Sequence, residues 1–100
     1  MLNITKNTED KTLTIALEGR LDTTSSPELE AELRSVLEDA AALTLDLEKL
    51  EYISSAGLRV LLSAQKRMNA KNGEMKVCHV GETIMEIFEV TGFSDILTIE

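Results

Sequence analysis

Leu43-Thr44-Leu45-Asp46-Leu47 leads through Leu50 and Ile53 into Ser54-Ser55-Ala56-Gly57-Leu58-Arg59-Val60-Leu61-Leu62. Leucine alternates with a polar residue over the first five positions. That period of two predicts a strand with one buried face and one open face. From Gly57 onward the apolar positions 58, 61, 62 and 68 recur at helical spacing. Residues 48–53 are read as carrying the chain from strand to helix. The helix then buries Leu58, Leu61, Leu62 and Met68. A strand that feeds a helix is the repeating unit of an α/β sheet.

The flanking sequence repeats this unit. Leu2 and Ile4 alternate with Asn3 and Thr5, Asn7 to Asp10 is polar, and Leu13, Ile15 and Leu17 alternate again. This predicts a hairpin. A loop from Gly19 ends at Ser25-Ser26-Pro27-Glu28, where Pro suits a first turn and Ser25 to Glu28 has capping-box spacing. Leu29, Leu33, Val36 and Leu37 form one helical face. Asn72-Gly73 supplies a left-handed stop for the second helix. Met75 to Val80 reads as a fourth strand, with Met75, Val77 and His79 competing against Lys76, Cys78 and Val80 for the inner face. Glu82 to Val90 is a third helix with Ile84, Ile87 and Phe88 inward, Gly92 stops it, and Ile96 to Ile99 is a last strand. The order β-β-α-β-α-β-α-β over residues 1–100 predicts one α/β domain. Strands joined through helices should be parallel. Strands buried on both faces read as continuous apolar runs, and these alternate instead. The expected architecture is therefore two layers, a mostly parallel sheet with an antiparallel first edge strand and helices mainly on one face.

The 100 residues are 43% apolar but only 3% aromatic, so the core must be aliphatic. The net charge of -8 disfavours direct binding to nucleic acid or anionic lipid. No run approaches the roughly 18 apolar residues of a membrane span, and the start of the chain alternates unlike a signal peptide. One cysteine, Cys78, has no internal partner, which fits a cytoplasmic protein. Against the acidic background, residues 58–76 hold five basic side chains (Arg59, Lys66, Arg67, Lys71, Lys76) and one acidic one, Glu74.

Ligand sites of open α/β sheets collect at the carboxyl ends of the strands. Three loops belong there: Gly19 to Asp22, Tyr52 to Leu58, and His79 to Gly81. Capping the second helix needs one serine, and Ser54-Ser55 supplies two. Gly57 in a first turn costs about 1 kcal/mol against alanine, which reads as close approach by a partner's backbone. A phosphate on a serine there would add about -1.5 to -2 charges, and a helix N-terminus tolerates negative charge.

Gly19-Arg20-Leu21-Asp22, Leu45-Asp46-Leu47, Tyr52 to Leu62, Asn72-Gly73-Glu74-Met75 and Thr91-Gly92-Phe93 together resemble the STAS domain (sulfate transporter and anti-sigma factor antagonist) over essentially the whole chain. The resemblance implies a small bacterial regulatory domain, an anti-sigma factor antagonist. Stand-alone members bind a serine protein kinase that is also an anti-sigma factor, and phosphorylation of one serine ends the binding. A phosphatase that reverses the modification is carried as a further partner. The family motif is usually Asp-Ser-x-Gly. Alignment on Gly57 makes Ser55 the acceptor and puts Ser54 where the family has Asp. Asp22 matches an acidic position near the acceptor. Asp22, Ser54, Ser55, Ala56 and Gly57 are the partner-binding residues so implied, and Arg59, one turn inside the helix, is added to them as a cation placed to face a partner's acidic surface. Family members often add one helix beyond the last strand reached here.

Other classes are weaker. Asp22, Ser55 and His79 could form a hydrolase triad, but the serine lacks the Gly-x-Ser-x-Gly context. A Cys78–His79 dyad is disfavoured because neighbouring strand residues point to opposite faces. One His and one Cys without ligand spacing give no metal motif. No Walker or dinucleotide loop is present, so no cofactor is expected. The alternative function is a STAS subunit of a lipid-transport or signalling assembly that binds without being switched.

Overall fold

Strand order follows chain order in the computed structural model, which describes residues 2–100; Met1 lies outside the described residues. Strands β1 (Leu2–Glu9) and β2 (Thr12–Leu21) form the antiparallel hairpin. Helix α1 (Ser26–Val36) leads to β3 (Ala42–Ile53), helix α2 (Ser55–Ala70) to β4 (Glu74–Cys78), and helix α3 (Glu82–Thr91) follows. The sheet order is β1-β2-β3-β4, with β3 parallel to both β2 and β4. Crossovers of one hand that always step in the same direction put their helices on the same side. This explains the two layers. Leu13, Ile15, Leu17, Leu43, Leu45, Leu47, Met75 and Val77 are buried beneath the helices. Thr14, Ala16, Thr44, Asp46, Lys76 and Cys78 lie on the other face and stay partly accessible. The contest in β4 thus goes to Met75 and Val77, while His79 is exposed.

Five expectations change. β3 does not end near Leu47 but runs to Ile53. Its register with β2 shifts twice, between Ala16 and Glu18 and between Gly19 and Arg20. Each shift places an extra residue in β3, so the buried positions pass from alternation to Leu47, Leu50 and Ile53. That three-residue spacing disguises a bulged strand as a connection. The last strand shrinks to a single parallel bridge between Val77 and Ile99, after a short turn at Phe93–Asp95. Leu62 is only partly buried, whereas Val60 and Ala64 are buried, because α1 packs on that flank of α2. Ile87 is likewise only partly buried, though it packs against the core. Finally, Ser25 forms no side-chain cap on α1, because its hydroxyl is already engaged in the preceding loop.

Asn72, at φ 60°, turns the chain after α2 as expected. Gly73 beside it is needed for space: an added Cβ would lie 2.9 Å from the Ala41 carbonyl oxygen.

Candidate functional site

Leu21 and Ile53 are register partners at the carboxyl ends of β2 and β3. The next residues, Asp22 and Ser54, therefore leave the sheet side by side. Ser54 N–H donates to the Leu21 carbonyl at 2.9 Å and ties the two exits together. Ser54 is the N-cap of α2, in extended conformation, and its hydroxyl accepts from Gly57 N–H at 3.4 Å. Ser55 is the first helical residue and is exposed. The adjacent serines thus differ in environment: one closes the helix end and the other faces solvent.

Asp22 is held by its own loop. Its Oδ1 accepts from Thr24 N–H, Ser25 N–H and the Ser25 hydroxyl, each at 3.1 Å. Asp22 N–H in turn donates to Ser25 Oγ at 2.9 Å. The Ser25 N–H does most to hold the Asp22 carboxyl below the ordinary carboxylate range, and it outweighs the opposing effect of burial. Arg20 Nε lies 3.8 Å from Asp22 Oδ2, and the Arg20 guanidinium stacks 4.4 Å from the Tyr52 ring centre. Arg20 and Tyr52 stand within the stretches the sequence placed at this edge, but neither was assigned a role there. The available signal was their position one residue before Leu21 and Ile53, at the strand ends.

Arg59 is exposed, four residues after Ser55 and so on the same helical face. Thr23, Pro27, Glu30, Ala56, Arg59 and Val60 line an open groove of about 270 Å³ between the starts of α1 and α2. The remaining basic band is not one continuous surface. Lys71 donates its ammonium to the Leu37 and Glu38 carbonyls, and Lys76 pairs with Glu100 at 3.5 Å.

The expected partner approach at Gly57 is corrected by the packing. Gly57 is buried, and an added Cβ would meet Leu21 Cγ at 2.8 Å and Ile53 Cγ1 at 2.9 Å. The close approach that requires glycine is internal.

The proposed triad does not assemble. β4 ends at Cys78 beside Asp46, seven residues before Ile53, or roughly 20 Å along the strand. His79 Nδ1 instead meets Asp46 Oδ1 at 3.1 Å. The separation of Cys78 from His79 is also corrected. His79 has φ 55°, so the chain has left the strand there and strict alternation no longer applies. Cys78 Sγ and His79 Nδ1 stand 3.6 Å apart. Burial pushes the Cys78 thiol pKa up, and the charges of Asp46, Glu100 and Glu48 add to the shift.

The family model for the STAS domain matches residues 3–100. The chain is 34% identical to BtrV of Bordetella bronchiseptica, covering 98% of this chain and 85% of that protein. It is 32% identical to the anti-sigma-B factor antagonist of Staphylococcus aureus, covering 96% and 90% respectively. Among solved structures, an anti-sigma factor antagonist from Mycobacterium paratuberculosis superposes with a TM-score of 0.90 at 22% identity, over 99% of this chain and 85% of that one.

Proposed function

Because the chain belongs to the STAS domain family, we propose that it is an anti-sigma factor antagonist switched by phosphorylation at Ser55. The supporting observation is the division of labour between the serines. Ser54 accepts the capping bond, which leaves the exposed Ser55 hydroxyl available for transfer without breaking the helix end. The partner is an anti-sigma factor, a class that the name of the Staphylococcus aureus relative supports, and in this reading that factor is itself a serine kinase. The serine-bearing end of α2, with Ala56, Arg59 and Asp22 around it, is the docking edge. A phosphatase would restore the unmodified form. None of the described helices is long and apolar enough to cross a membrane, and we place the action of the protein in the cytoplasm.

The chemistry at this edge supports a switch carried by charge. A phosphoserine at the first position of α2 faces the positive end of the helix dipole, so the fold tolerates it. Arg59, one turn along, is placed to pair with it. The phosphate then withdraws that cation from an acidic partner and sets a dianion where the contact must lose water. Unphosphorylated protein binds, and phosphorylated protein is released.

The test is incubation with the cognate kinase and ATP, followed by phosphopeptide mapping. Label is expected on Ser55 alone. Ser55→Ala should bind and resist labelling, and Ser55→Asp should bind weakly while melting at a similar temperature. Label on Ser54, or binding with no label, would replace this reading by another acceptor or by an unswitched binding subunit.

A further inference from the structure

The open face of the sheet carries a chemistry of its own. Across it, Thr5 pairs with Ala16, Ala16 with Asp46, and Asp46 with Cys78. Asp46 and Cys78 are thus register neighbours on the face away from the helices. The left-handed turn at His79 brings its imidazole over the same place. One sulfur, one nitrogen and one oxygen donor then lie within 4.8 Å of one another.

We propose that Asp46, Cys78 and His79 form a binding site for a single zinc ion. The donor set is one that zinc accepts, and the shape fits. Tetrahedral bonds of about 2.3 Å to sulfur and about 2.0–2.1 Å to nitrogen and oxygen set the donors roughly 3.3–3.6 Å apart. The nitrogen–oxygen separation is 3.1 Å and the sulfur–nitrogen separation 3.6 Å, so two edges of the tetrahedron are already near their bound lengths. Asp46 is also held in place: Glu48 N–H donates to the same Oδ1 at 3.0 Å. Such outer contacts orient a ligand before the metal arrives. Lys76, the cation on the same face, is paired with Glu100 at 3.5 Å. His79 is exposed, and Asp46 and Cys78 are partly so, which leaves an ion a route in.

Binding changes the protons as follows. The Cys78 S–H bond breaks, its proton passes to water, and the thiolate pair forms the zinc–sulfur bond. The proton on His79 Nδ1 that bridges to Asp46 Oδ1 without the ion passes to water, the ring proton stands on Nε2, and the freed Nδ1 lone pair binds zinc while Asp46 binds as carboxylate. Three protein donors leave the fourth position to water or to a donor from another molecule. This site is separate from the serine-bearing edge and does not depend on how that edge is switched.

Cobalt(II) is the probe, added to the full chain under a reductant that contains no thiol. One equivalent should give a thiolate-to-cobalt charge-transfer band and the visible bands of tetrahedral cobalt, and zinc should displace both. Cys78→Ser should abolish the charge-transfer band. Asp46→Asn and His79→Asn, the latter chosen because asparagine accepts the left-handed backbone, should each weaken binding by about tenfold or more. As a check that needs no variant, zinc should slow alkylation of Cys78 in the unaltered protein and magnesium should not. The proposal is overturned by the absence of the charge-transfer band. It is also overturned by binding that survives all three substitutions, or by alkylation that is indifferent to zinc.

Discussion

Leu21 Cγ stands 2.8 Å from where a Cβ on Gly57 would be. Leu21 and Ile53, the two side chains that close this space, are both almost fully buried, so neither can swing aside. Alanine at 57 gains about 1 kcal/mol of helix propensity but adds an overpacking cost of about 1–3 kcal/mol. Gly57→Ala should therefore lower Tm, as followed by circular dichroism. Below the new transition, the variant should still present Ser55 to the kinase.

The two serines should separate by stability. Ser54→Ala removes the cap and should cost about 0.5–1 kcal/mol, at the low end for caps because the bond is 3.4 Å long. Ser55→Ala removes an exposed hydroxyl and should stay within about 0.5 kcal/mol of the parent. Urea unfolding of both variants measures the difference.

Charge reversal at Arg59 should weaken binding to the anti-sigma factor, and more so at low ionic strength. Exposed charges are screened over about 10 Å at 0.1 M salt, so the loss should shrink as salt rises. Calorimetric titration at two salt concentrations reads this directly. Equal losses would show that Arg59 contributes shape rather than charge.

The Asp22 carboxyl is held below its ordinary range, chiefly by the Ser25 N–H. Between the folded and unfolded pKa values, the unfolded chain binds more protons than the folded one. Stability from this group is thus fully present above the unfolded pKa of about 3.9 and is lost as pH falls through the folded value. Asp22→Asn should flatten that part of the urea midpoint against pH, with little effect on its pH dependence near neutrality.

Leu45 is fully buried in the central strand. Leu45→Ala should cost about 2–5 kcal/mol through lost transfer energy and the remaining cavity. The measurement is again urea unfolding.

Alternation made the architecture readable because each polar residue of β2 and of early β3 faces the open side. The reading failed where the period changed. The β3 bulges hid six residues of strand, since Leu47, Leu50 and Ile53 fit no period of two. Of the candidate site, the helix-start signal showed that one serine caps the helix and a second is spare, and only the resemblance to the family singled out Ser55. The reason for Gly57 was not, because Leu21 is distant in sequence and meets it only through the parallel pairing of β2 with β3. The same holds for Asp46, Cys78 and His79. Their meeting needs both a register between strands and a backbone angle at His79 that local pattern does not announce.

The strand order has a further consequence, for assembly. Each new strand pairs with the one made just before it, so no strand must be threaded between two already joined. The hairpin can form from local contacts and then serve as a template, with β3 and β4 added at one growing edge. Synthesis delivers the strands in that same order, beginning with the hairpin. For this topology, the order in which the strands are made is the order in which they stand in the sheet, so each strand's pairing edge already exists in the chain before that strand is made.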